Sequence, residues 1–489
     1  MRILTNKYMT GLRPIMLCGT GSDVGKSVLA TALCRIFKQD GYAPAPFKAQ
    51  NMALNSYVTS DGLEIGRAQA VQAEAAGLEC QVDMNPILLK PQGDHTSQVV
   101  LNGRPIGNYS AQEYFRSEGR EHLQQAAHNA FDKLAQMYHP IVMEGAGSIS
   151  EINLKKQDIV NLAMARYAGA SVILVADIDR GGVFASCYGS IALQYPEDRK
   201  LIKGIIVNKF RGDMRLFEDG RKMLEEVCKV PVLGIIPYFN DIHIEEEDSV
   251  DLIFKNRRVS HDKINIAVIL LKYISNFTDF DILERDPRVN LFYTNNIQDI
   301  AQVDIIIIPG SKSTLEDLYE LRRDGCAQAI MKAHENGKTI MGICGGFQML
   351  GEEVLDPNHV EGDIDRLPGL GLLPMSTTMD CNKATQRVEF SFEGYLLNGY
   401  EIHNGKSVLR DGTSNYGKIV NRDKVYGTYV HGILDNISFI DILLAPYAGK
   451  SQEGFNLKKY KETQYDLLAN HVRSNLDMDC LYSIMKGEV

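Results

Sequence analysis

A glycine-rich loop near the start of the chain constrains the fold more than any other feature of the sequence. The segment GTGSDVGKS, residues 19–27, follows the apolar run PIMLC and precedes the amphipathic stretch KSVLATALCRIFKQDG. A glycine turn between a strand and a helix directs backbone N–H groups at an anion, and the helix dipole adds to the attraction. Gly21 and Gly25 permit this turn. Lys26 can reach the β- and γ-phosphates, and the Ser27 hydroxyl can ligate Mg²⁺. The loop therefore predicts an ATP site in a parallel α/β sheet.

Apolar runs alternate with amphipathic stretches twice along the chain, which predicts two α/β domains. The runs PIVMEGAG, SVILVADIDRGG, IKGIIVNKF and VPVLGIIPY end in polar or glycine residues, as the strands of an open parallel sheet do at a ligand site. A second series begins at INIAVILL and has the pattern of a flavodoxin-like α/β domain. We predict an N-terminal extension over residues 1–13 and a P-loop parallel-sheet ATPase domain over 14–240. A linker whose acidic run is solvated follows over 241–263. The flavodoxin-like domain covers 264–445, and a C-terminal extension covers 446–489.

Composition excludes several classes of protein. Of the 489 residues 44% are hydrophobic and 23% charged, which is typical of globular proteins. No apolar run approaches the roughly 18 residues of a membrane span, so no membrane association is expected. The net charge of −10 argues against nucleic-acid binding, which needs a basic face. The nine cysteines are scattered without a C-x-x-C pair, so we predict a reducing, cytoplasmic environment.

The loop is one residue longer than the usual phosphate-binding pattern and resembles that of the dethiobiotin synthetase branch of P-loop enzymes. That resemblance implies that Glu144, at the end of PIVMEGAG, is the acid that binds Mg²⁺. Lys48 follows the second predicted strand and is expected to stabilise phosphate charge, with a surface lysine as the alternative. Asn208 in NKFRGD is interpreted as an adenine contact, although Gly212 breaks the guanine-reading pattern.

Cys344 in GICGG has the sequence context of a nucleophile. The run KTIMGI predicts a strand, the glycines permit a strained turn, and FQMLGEE predicts the start of a helix. Such an elbow exposes the sulfur at a helix N-terminus, which lowers a thiol pKa. The N–H of Gly345 can stabilise an oxyanion, and the second donor is expected from Gly310 or Ser311. Most of the nine cysteines are expected to be inert.

His431 in VYGTYVHG is the predicted base for Cys344, because it lies downstream at a strand end. This is the chain order of class I glutamine amidotransferases, in which a glutamate two residues beyond the histidine orients the ring. Ile433 stands at that position here, so the triad is incomplete in the sequence. His403 in GYEIHNG is the competing histidine, with a structural or substrate-side role as its alternative.

Taken together, these residues resemble the cobyric acid synthase family, over roughly residues 14–440. The resemblance rests on GTGSDVGKSVL, APFKAQNMALNS, GRAQAVQAEAA, MNPILLKP, EGAGSISEINL, VADIDRGGVFAS, NKFRGD, ISNFTDFD, PGSKSTLEDL, GICGGFQMLG, GYEIHNG and YVHG. The family also lacks the triad glutamate.

The resemblance implies a ligase that uses ATP, Mg²⁺ and glutamine to amidate side chains b, d, e and g of adenosylcobyrinic acid a,c-diamide. All four amidations would take place at one site, with the corrinoid as substrate. Asp158 is expected to orient the carboxylate or the nucleotide, with helix capping as an equal alternative. Arg67, Lys90, Arg180 and Arg211 are candidates for the corrinoid carboxylates, or simply surface charges.

Two rival functions remain open in the sequence. Cobyrinic acid a,c-diamide synthase shares both domains, but APFKAQNMALNS and ISNFTDFD favour cobyric acid synthase. A non-catalytic P-loop switch that binds a partner protein or DNA would need neither Cys344 nor His431. The expected partners are therefore glutamine and the corrinoid, without nucleic acid or membrane, and a homodimer is an open possibility.

Overall fold

The computed structural model describes residues 11–92, 96–114, 117–239, 241–245, 259–410, 417–447 and 457–489. The predicted N-terminal extension, linker and C-terminal extension lie partly outside these residues, and their boundaries stay predictions. Two domains, each built on a mainly parallel sheet, confirm the predicted α/β class. Within the described residues, no helix has both the length and the apolar character needed to cross a membrane.

The first domain, here called the nucleotide domain, is built around a six-stranded parallel sheet. Its strands are β1 (Ile15–Gly19), β2 (Ala45–Phe47), β9 (Ile141–Glu144), β10 (Ser171–Asp177), β11 (Ile202–Phe210) and β12 (Val232–Pro237), in the order β12-β11-β10-β1-β9-β2. The helices are α1 (Lys26–Gln39), α2 (Arg67–Ala76), α3 (Ala111–Tyr114), α4 (Ser117–Met137), α5 (Leu162–Ala168), α6 (Val183–Ala192), α7 (Pro196–Arg199) and α8 (Glu218–Cys228). Leu17 pairs with Glu144, so the glycine loop and this carboxylate lie together at the carboxyl ends of neighbouring parallel strands.

A second layer, here called the insert, follows β2 and reaches the other domain. It consists of the sheet β3-β6-β7-β8 and the hairpin β4–β5, formed by β3 (Gln50–Met52), β4 (Ser56–Val58), β5 (Glu64–Gly66), β6 (Ile87–Gln92), β7 (Thr96–Leu101) and β8 (Arg104–Ser110). Ser56 N donates to Asn276 Oδ1 at 3.0 Å, and Arg387 Nε donates to Val58 O at 2.9 Å. The insert therefore forms part of the interface with the second domain.

The second domain, here called the thiol domain, has a six-stranded sheet and a second, mainly antiparallel layer. The sheet order is β15-β13-β16-β18-β24-β23, for β13 (Ile264–Ile269), β15 (Val289–Thr294), β16 (Ile305–Ile308), β18 (Thr339–Ile343), β23 (Ile419–Arg422) and β24 (Val425–Thr428), with β23 antiparallel. The other strands are β14 (Ile274–Ser275), β17 (Gly310–Ser311), β19 (Glu353–Leu355), β20 (Arg366–Pro368), β21 (Met375–Phe392), β22 (Tyr395–Leu409) and β25 (Val430–His431). The helices are α9 (Asp281–Arg285), α10 (Ile297–Gln302), α11 (Thr314–Arg323), α12 (Cys326–Glu335), α13 (Gly345–Met349) and α14 (Ile437–Leu444).

The C-terminal segment packs on the nucleotide domain. The sequence predicts one closing helix, whereas the structure has two, α15 (Leu457–Ser474) and α16 (Met478–Lys486). Their apolar faces are buried in one core cluster with α1 and the sheet, and Leu468 is fully buried there. Arg35 of α1 forms an ion pair with Asp466 at 2.7 Å. The apolar face that the 3.6-residue period of this segment creates thus packs on a surface formed more than 400 residues earlier in the chain.

Replacing Leu468 with alanine tests whether these helices belong to the nucleotide domain. We expect the free energy of unfolding to fall by about 2–5 kcal/mol, because the change leaves a cavity in a closed core. Its neighbour Leu467 is 43% exposed, and Leu467→Ala is the matched control, expected to change stability by at most about 0.5 kcal/mol. Urea unfolding would measure both. Equal stabilities of the two variants would contradict the packing described here.

Candidate active site

The glycine loop has the shape that its sequence predicts. Gly25 has a φ of +93°, a left-handed conformation in which glycine is favoured. A Cβ atom on Gly19 would lie 2.8 Å from Lys26 Nζ and 2.6 Å from the carbonyl of Gly21. Lys26 Nζ donates to that carbonyl and to Gly147 O, at 3.1 and 3.0 Å. The loop thus folds closely around the ammonium group of Lys26.

Glu144 joins the predicted phosphate and metal residues into one buried cluster. Its Oε1 accepts hydrogen bonds from Ser27 Oγ and Lys48 Nζ, both at 2.8 Å, and its Oε2 accepts one from Gln72 Nε2 at 2.8 Å. Burial alone would raise the pKa of Glu144, but the Lys48 ammonium and the donated hydrogen bonds outweigh burial and lower it. Lys48 is therefore a buried partner of the carboxylate and not a surface lysine.

This cluster has the donor set that suits Mg²⁺. Among the described residues, no group of three or more His, Cys, Asp or Glu side chains is arranged to hold a metal. Ser27 Oγ and Glu144 Oε1, by contrast, are two oxygen atoms 2.8 Å apart beside the phosphate loop. Mg²⁺ is commonly held by one or two protein oxygens together with substrate phosphates and water. The residues present fit that mode of binding.

Asn208 and Asp158 have structural contacts in addition to their predicted roles. Asn208 Nδ2 donates to Val24 O at 2.8 Å, so this side chain supports the glycine loop, and its contact with adenine stays a prediction. Asp158 Oδ1 accepts the backbone N–H groups of Val160 and Asn161, both at 2.9 Å. Asn161 is the N-cap of α5, so Asp158 stabilises the entry to that helix. The capping alternative is thus present in the structure, and substrate orientation stays a prediction.

A cavity of about 990 Å³ extends from the glycine loop to the second domain. Its lining includes Lys26, Glu144 and Asp158 from the nucleotide domain, and Phe277 and Asp281 from the thiol domain. This volume lies at the upper end of the range for small-molecule sites. Both domains therefore form the walls of one large cavity.

The corrinoid candidates have different surroundings in the structure. Arg180 lines the large cavity with a side chain that is 67% exposed. Arg211, also exposed, forms an ion pair with Asp179 at 2.9 Å. Arg67 and Lys90 instead form buried ion pairs, with Glu245 at 2.6 Å and Glu64 at 2.7 Å.

The position of Glu245 contradicts the prediction that the acidic run of the linker is solvated. It belongs to the acidic run that the sequence predicts to be solvated, yet its side chain is only 12% exposed. It forms ion pairs with Arg67 and with Lys461 of α15, at 2.6 and 2.7 Å. These two cations lie 178 and 216 residues away along the chain, so no local pattern could have paired them with Glu245. The rest of the acidic run lies outside the described residues.

Cys344 lies at the turn between β18 and α13, in the strained conformation that the elbow requires. Its φ and ψ are +51° and −108°, which a residue with a side chain rarely adopts. The glycines are needed for close packing: a Cβ atom on Gly346 would lie 2.0 Å from Ile308 O, and one on Gly342 would lie 2.6 Å from Gly346 O. The turn therefore places the Cys344 side chain at a cavity, and the backbone of the turn is buried against its neighbours.

His431 faces Cys344 and is oriented by a carboxylate that the sequence did not reveal. His431 Nδ1 lies 2.7 Å from Asp279 Oδ2, and Asp279 Oδ1 accepts the N–H of Gly432 at 2.9 Å. Burial opposes the imidazolium, but Asp279 and a hydrogen bond with Cys344 outweigh it and raise the pKa of His431 to about 10. The three side chains have the arrangement of a nucleophile, a base and an orienting acid.

Asp279 lies in the segment ISNFTDFD, which contributed to the family resemblance without any role for this residue. The expected position, two residues after the histidine, is Ile433, a buried apolar residue. Asp279 instead precedes His431 by 152 residues and comes from the turn after β14. The structure therefore completes a triad that the sequence leaves open.

His403, the competing histidine, points elsewhere. Its Nδ1 lies 2.8 Å from Gly405 O, and its ring stacks on Tyr429 at a centroid distance of 3.7 Å. Burial lowers the pKa of His403 to about 4, so the ring is neutral near pH 7. The structural alternative fits this environment, although His403 also lines the cavity beside Cys344.

The two predicted oxyanion residues lie close to the triad. A Cβ atom on Gly310 would be 3.1 Å from His431 Cε1, and one on Gly345 would be 2.8 Å from Ser311 N. Ser311 Oγ donates to the buried carboxyl of Asp317 at 2.5 Å, which fixes this turn. The structure thus brings both glycines beside Cys344, and their role as donors stays a prediction.

Comparisons with known proteins agree with this two-site arrangement. The CobQ/CobB/MinD/ParA nucleotide binding domain matches residues 15–252, and the CobB/CobQ-like glutamine amidotransferase domain matches residues 265–439. Together these two family models span most of the chain. They match the two domains that carry the glycine loop and Cys344.

Curated relatives match almost the whole chain. The cobyric acid synthase of Bacteroides fragilis is 64% identical over 489 residues, which cover 97% of this chain and 98% of that protein. The enzyme of Phocaeicola vulgatus is 64% identical, covering 97% and 99%, and that of Parabacteroides distasonis is 54% identical, covering 97% and 99%. The chain belongs to the cobyric acid synthase family.

Proposed function

We propose that this chain uses ATP and glutamine to amidate side chains b, d, e and g of adenosylcobyrinic acid a,c-diamide, giving adenosylcobyric acid. The observation that carries the proposal is the presence of two complementary sites in one chain. A phosphate loop with Ser27 and Glu144 suits carboxylate activation, and Cys344 with His431 and Asp279 suits release of ammonia from glutamine. Relatives named for this activity match 97% of the chain.

The thiol domain would supply the ammonia. The Cys344 thiolate adds to the amide carbon of glutamine, and the oxyanion is stabilised by N–H groups at Gly345 and Gly310. The C–N bond then breaks as His431 gives its proton to the leaving nitrogen, and ammonia is released. Water hydrolyses the remaining thioester to glutamate, with His431 accepting the proton of the water. Asp279 positions the ring and stabilises its charged form.

The nucleotide domain would activate the corrinoid. A corrinoid carboxylate attacks the γ-phosphorus of ATP, ADP leaves, and ammonia then displaces phosphate from the acyl phosphate. Lys26 and Lys48 stabilise the charge on the transferred group, and Asp158 orients the reacting carboxylate or the nucleotide. Mg²⁺ bound by Ser27 and Glu144 would neutralise the charge of the β- and γ-phosphates.

Neither rival function is favoured. The relatives from Bacteroides fragilis, Phocaeicola vulgatus and Parabacteroides distasonis, which each match 97% of the chain, are named cobyric acid synthase. A non-catalytic P-loop switch has no use for a cysteine in a strained turn beside a buried His431–Asp279 pair.

Location and assembly stay predictions. A cytoplasmic location is supported by the nine cysteines, all of which are free thiols in the structure. A homodimer would be tested by sedimentation equilibrium of the purified protein.

Mass spectrometry of the corrinoid product tests the proposed function. With ATP, Mg²⁺ and glutamine, adenosylcobyrinic acid a,c-diamide should gain four amides, with one glutamate released for each amide. Conversion of cobyrinic acid to its a,c-diamide would instead establish the nearer rival. No amidation of either corrinoid would overturn the proposal.

Lys26→Ala should abolish amidation with either glutamine or free ammonia, because both nitrogen sources depend on an activated carboxylate. Lys200→Ala, an exposed lysine of the same domain, is the matched control and should behave as the unchanged protein. Amide formation at a high ammonium concentration measures the difference. Ammonia-dependent activity that survives in Lys26→Ala would exclude this loop as the catalytic phosphate site.

Asp279→Asn should lower glutamine hydrolysis by about 10²-fold or more, because the imidazolium loses its orienting charge. Without that carboxylate the pKa of His431 falls, so the alkaline limb of the pH–rate profile, where His431 loses its proton, should move to lower pH. Amidation with ammonia is the internal control and should persist. An unchanged pH profile would show that Asp279 does not act through His431.

Asp158→Asn should keep the fold, because asparagine Oδ1 can accept the same two N–H groups. If the charge orients substrate, corrinoid amidation should fall sharply and intermediates with one to three new amides should be released. Hydrolysis of glutamine at Cys344 should continue. Mass spectrometry that finds only fully amidated corrinoid at an unchanged rate would leave Asp158 with helix capping alone.

A further inference from the structure

A narrow cavity beside Cys344 is lined by residues of both domains. The thiol domain contributes Lys312, Glu361, Lys383 and His431, and the insert of the nucleotide domain contributes Lys90. Gln98, also of the insert, lies 3.4 Å from Lys312 Nζ and 3.2 Å from Lys383 Nζ. The surroundings of the nucleophile are therefore shared between the two domains.

The carboxylate of Glu64 is the centre of the charged groups in this wall. It is fully buried, and its two oxygens lie 2.7 Å from Lys90 Nζ and 2.6 Å from Lys383 Nζ. Burial disfavours the charge of Glu64, but the two ammonium groups outweigh it and hold the pKa of Glu64 well below its usual range. Both lysines are thus fixed in place by one carboxylate of the insert.

Lys312 is an amine of this wall for which the described residues provide no ion pair, although Glu361 and Glu64 act on it from a longer distance. Its side chain is buried, and among the described residues no carboxylate oxygen lies within 4.0 Å of its Nζ. Burial and the ammonium groups of Lys383 and Lys90 lower the pKa of Lys312 to about 7. An isolated buried charge is costly, so a carboxylate placed here would be strongly favoured.

Glu361 contributes a buried carboxyl group to the same cavity. Its Oε2 accepts the N–H of Thr314 at 2.8 Å, and burial raises the pKa of Glu361. The cavity that Cys344 lines therefore has one amine and one carboxyl group whose charges burial disfavours, and a ligand with the opposite charges would stabilise the charged form of each. This pattern is complementary to a zwitterionic amino acid whose side-chain amide meets the thiol.

We propose that the α-carboxylate of glutamine binds Lys312 and Lys383 in this cavity, and that its α-ammonium binds Glu361. The inference rests on the proposed function and assigns the recognition of its nitrogen donor. Glu64 is then a positioning residue, which holds Lys383 from the opposite domain. Because the insert contributes Glu64, Lys90 and Gln98, the glutamine site is complete only when both domains are joined.

The size of the cavity sets a condition on binding. Its volume is about 30 Å³, less than that of a glutamine molecule, while the lysines contact Gln98 and Glu64. Binding therefore requires the side chains of Lys312 and Lys383 to part and exchange some of these contacts for the ligand carboxylate.

Two glutamine analogues separate the two halves of the proposed site. Glutaramate lacks the α-ammonium group, and 4-aminobutanamide lacks the α-carboxylate. The full-length protein is assayed with each compound and with L-glutamine, and the acid product of each hydrolysis is measured. These rates can be read without corrinoid amidation, so failure of this proposal and failure of the proposed function are distinguishable.

Lys312→Met should raise the KM for glutamine by about 10- to 100-fold with little change in kcat, since a charged hydrogen bond is lost from the ground state and the transition state alike. It should also lose the preference for glutamine over 4-aminobutanamide and keep the preference over glutaramate. Glu361→Gln should instead lose the preference for glutamine over glutaramate and keep the preference over 4-aminobutanamide. Lys332→Met, an exposed lysine on α12, is the matched control and should leave all three substrates unaffected.

If the methionine variant packs poorly, Lys312→Arg provides a variant that keeps the positive charge. It should retain the preference for glutamine over 4-aminobutanamide. Glu64→Gln should weaken the same preference and raise the KM for glutamine. An effect of Lys312→Met or Glu361→Gln that is equal for both analogues would overturn the assignment. Unchanged KM values would overturn it as well.

Discussion

A buried carboxylate of the nucleotide domain, Glu64, forms ion pairs with Lys90 of its own domain and with Lys383 of the thiol domain. Both lysines would be left as unmatched buried charges if Glu64 were removed, and such a loss is strongly destabilising. A hydrogen bond from Ser56 N to Asn276 Oδ1 lies in the same interface. These contacts fix how the domains meet, and so they determine which residues surround Cys344 and the large cavity.

The two reactive sites use the same local geometry. In each, a strand of a parallel sheet ends in a glycine turn and a helix begins, so that backbone N–H groups and a helix dipole face the reacting group. The first turn encloses Lys26, and the second holds Cys344 at a left-handed φ of +51°. The small residues are required because neighbouring carbonyls approach within about 3 Å of where a Cβ would stand.

Local patterns were sufficient to predict the two sheets, the glycine loop and the elbow, because each depends on neighbours in sequence. The orienting acid of His431 and the packing surface of the C-terminal helices depend on distant partners, and no local pattern indicates them. Asp279 reaches His431 across 152 residues, and α15 packs against α1 more than 400 residues earlier. For Lys90 the sequence leaves a corrinoid contact and a surface charge open, and it gives no signal for the buried ion pair with Glu64. Asp158 shows a further limit: its cap is visible in the structure, but a cap does not exclude a role with substrate.

The nitrogen source that supports amidation in Cys344→Ala tests the central claim most directly. Ammonia production depends on Cys344, whereas carboxylate activation takes place in the other domain. Amidation of adenosylcobyrinic acid a,c-diamide by this variant should therefore be lost with glutamine and retained with a high concentration of ammonium. Retention of glutamine-dependent amidation, or loss of amidation with both nitrogen sources in a folded protein, would contradict the account.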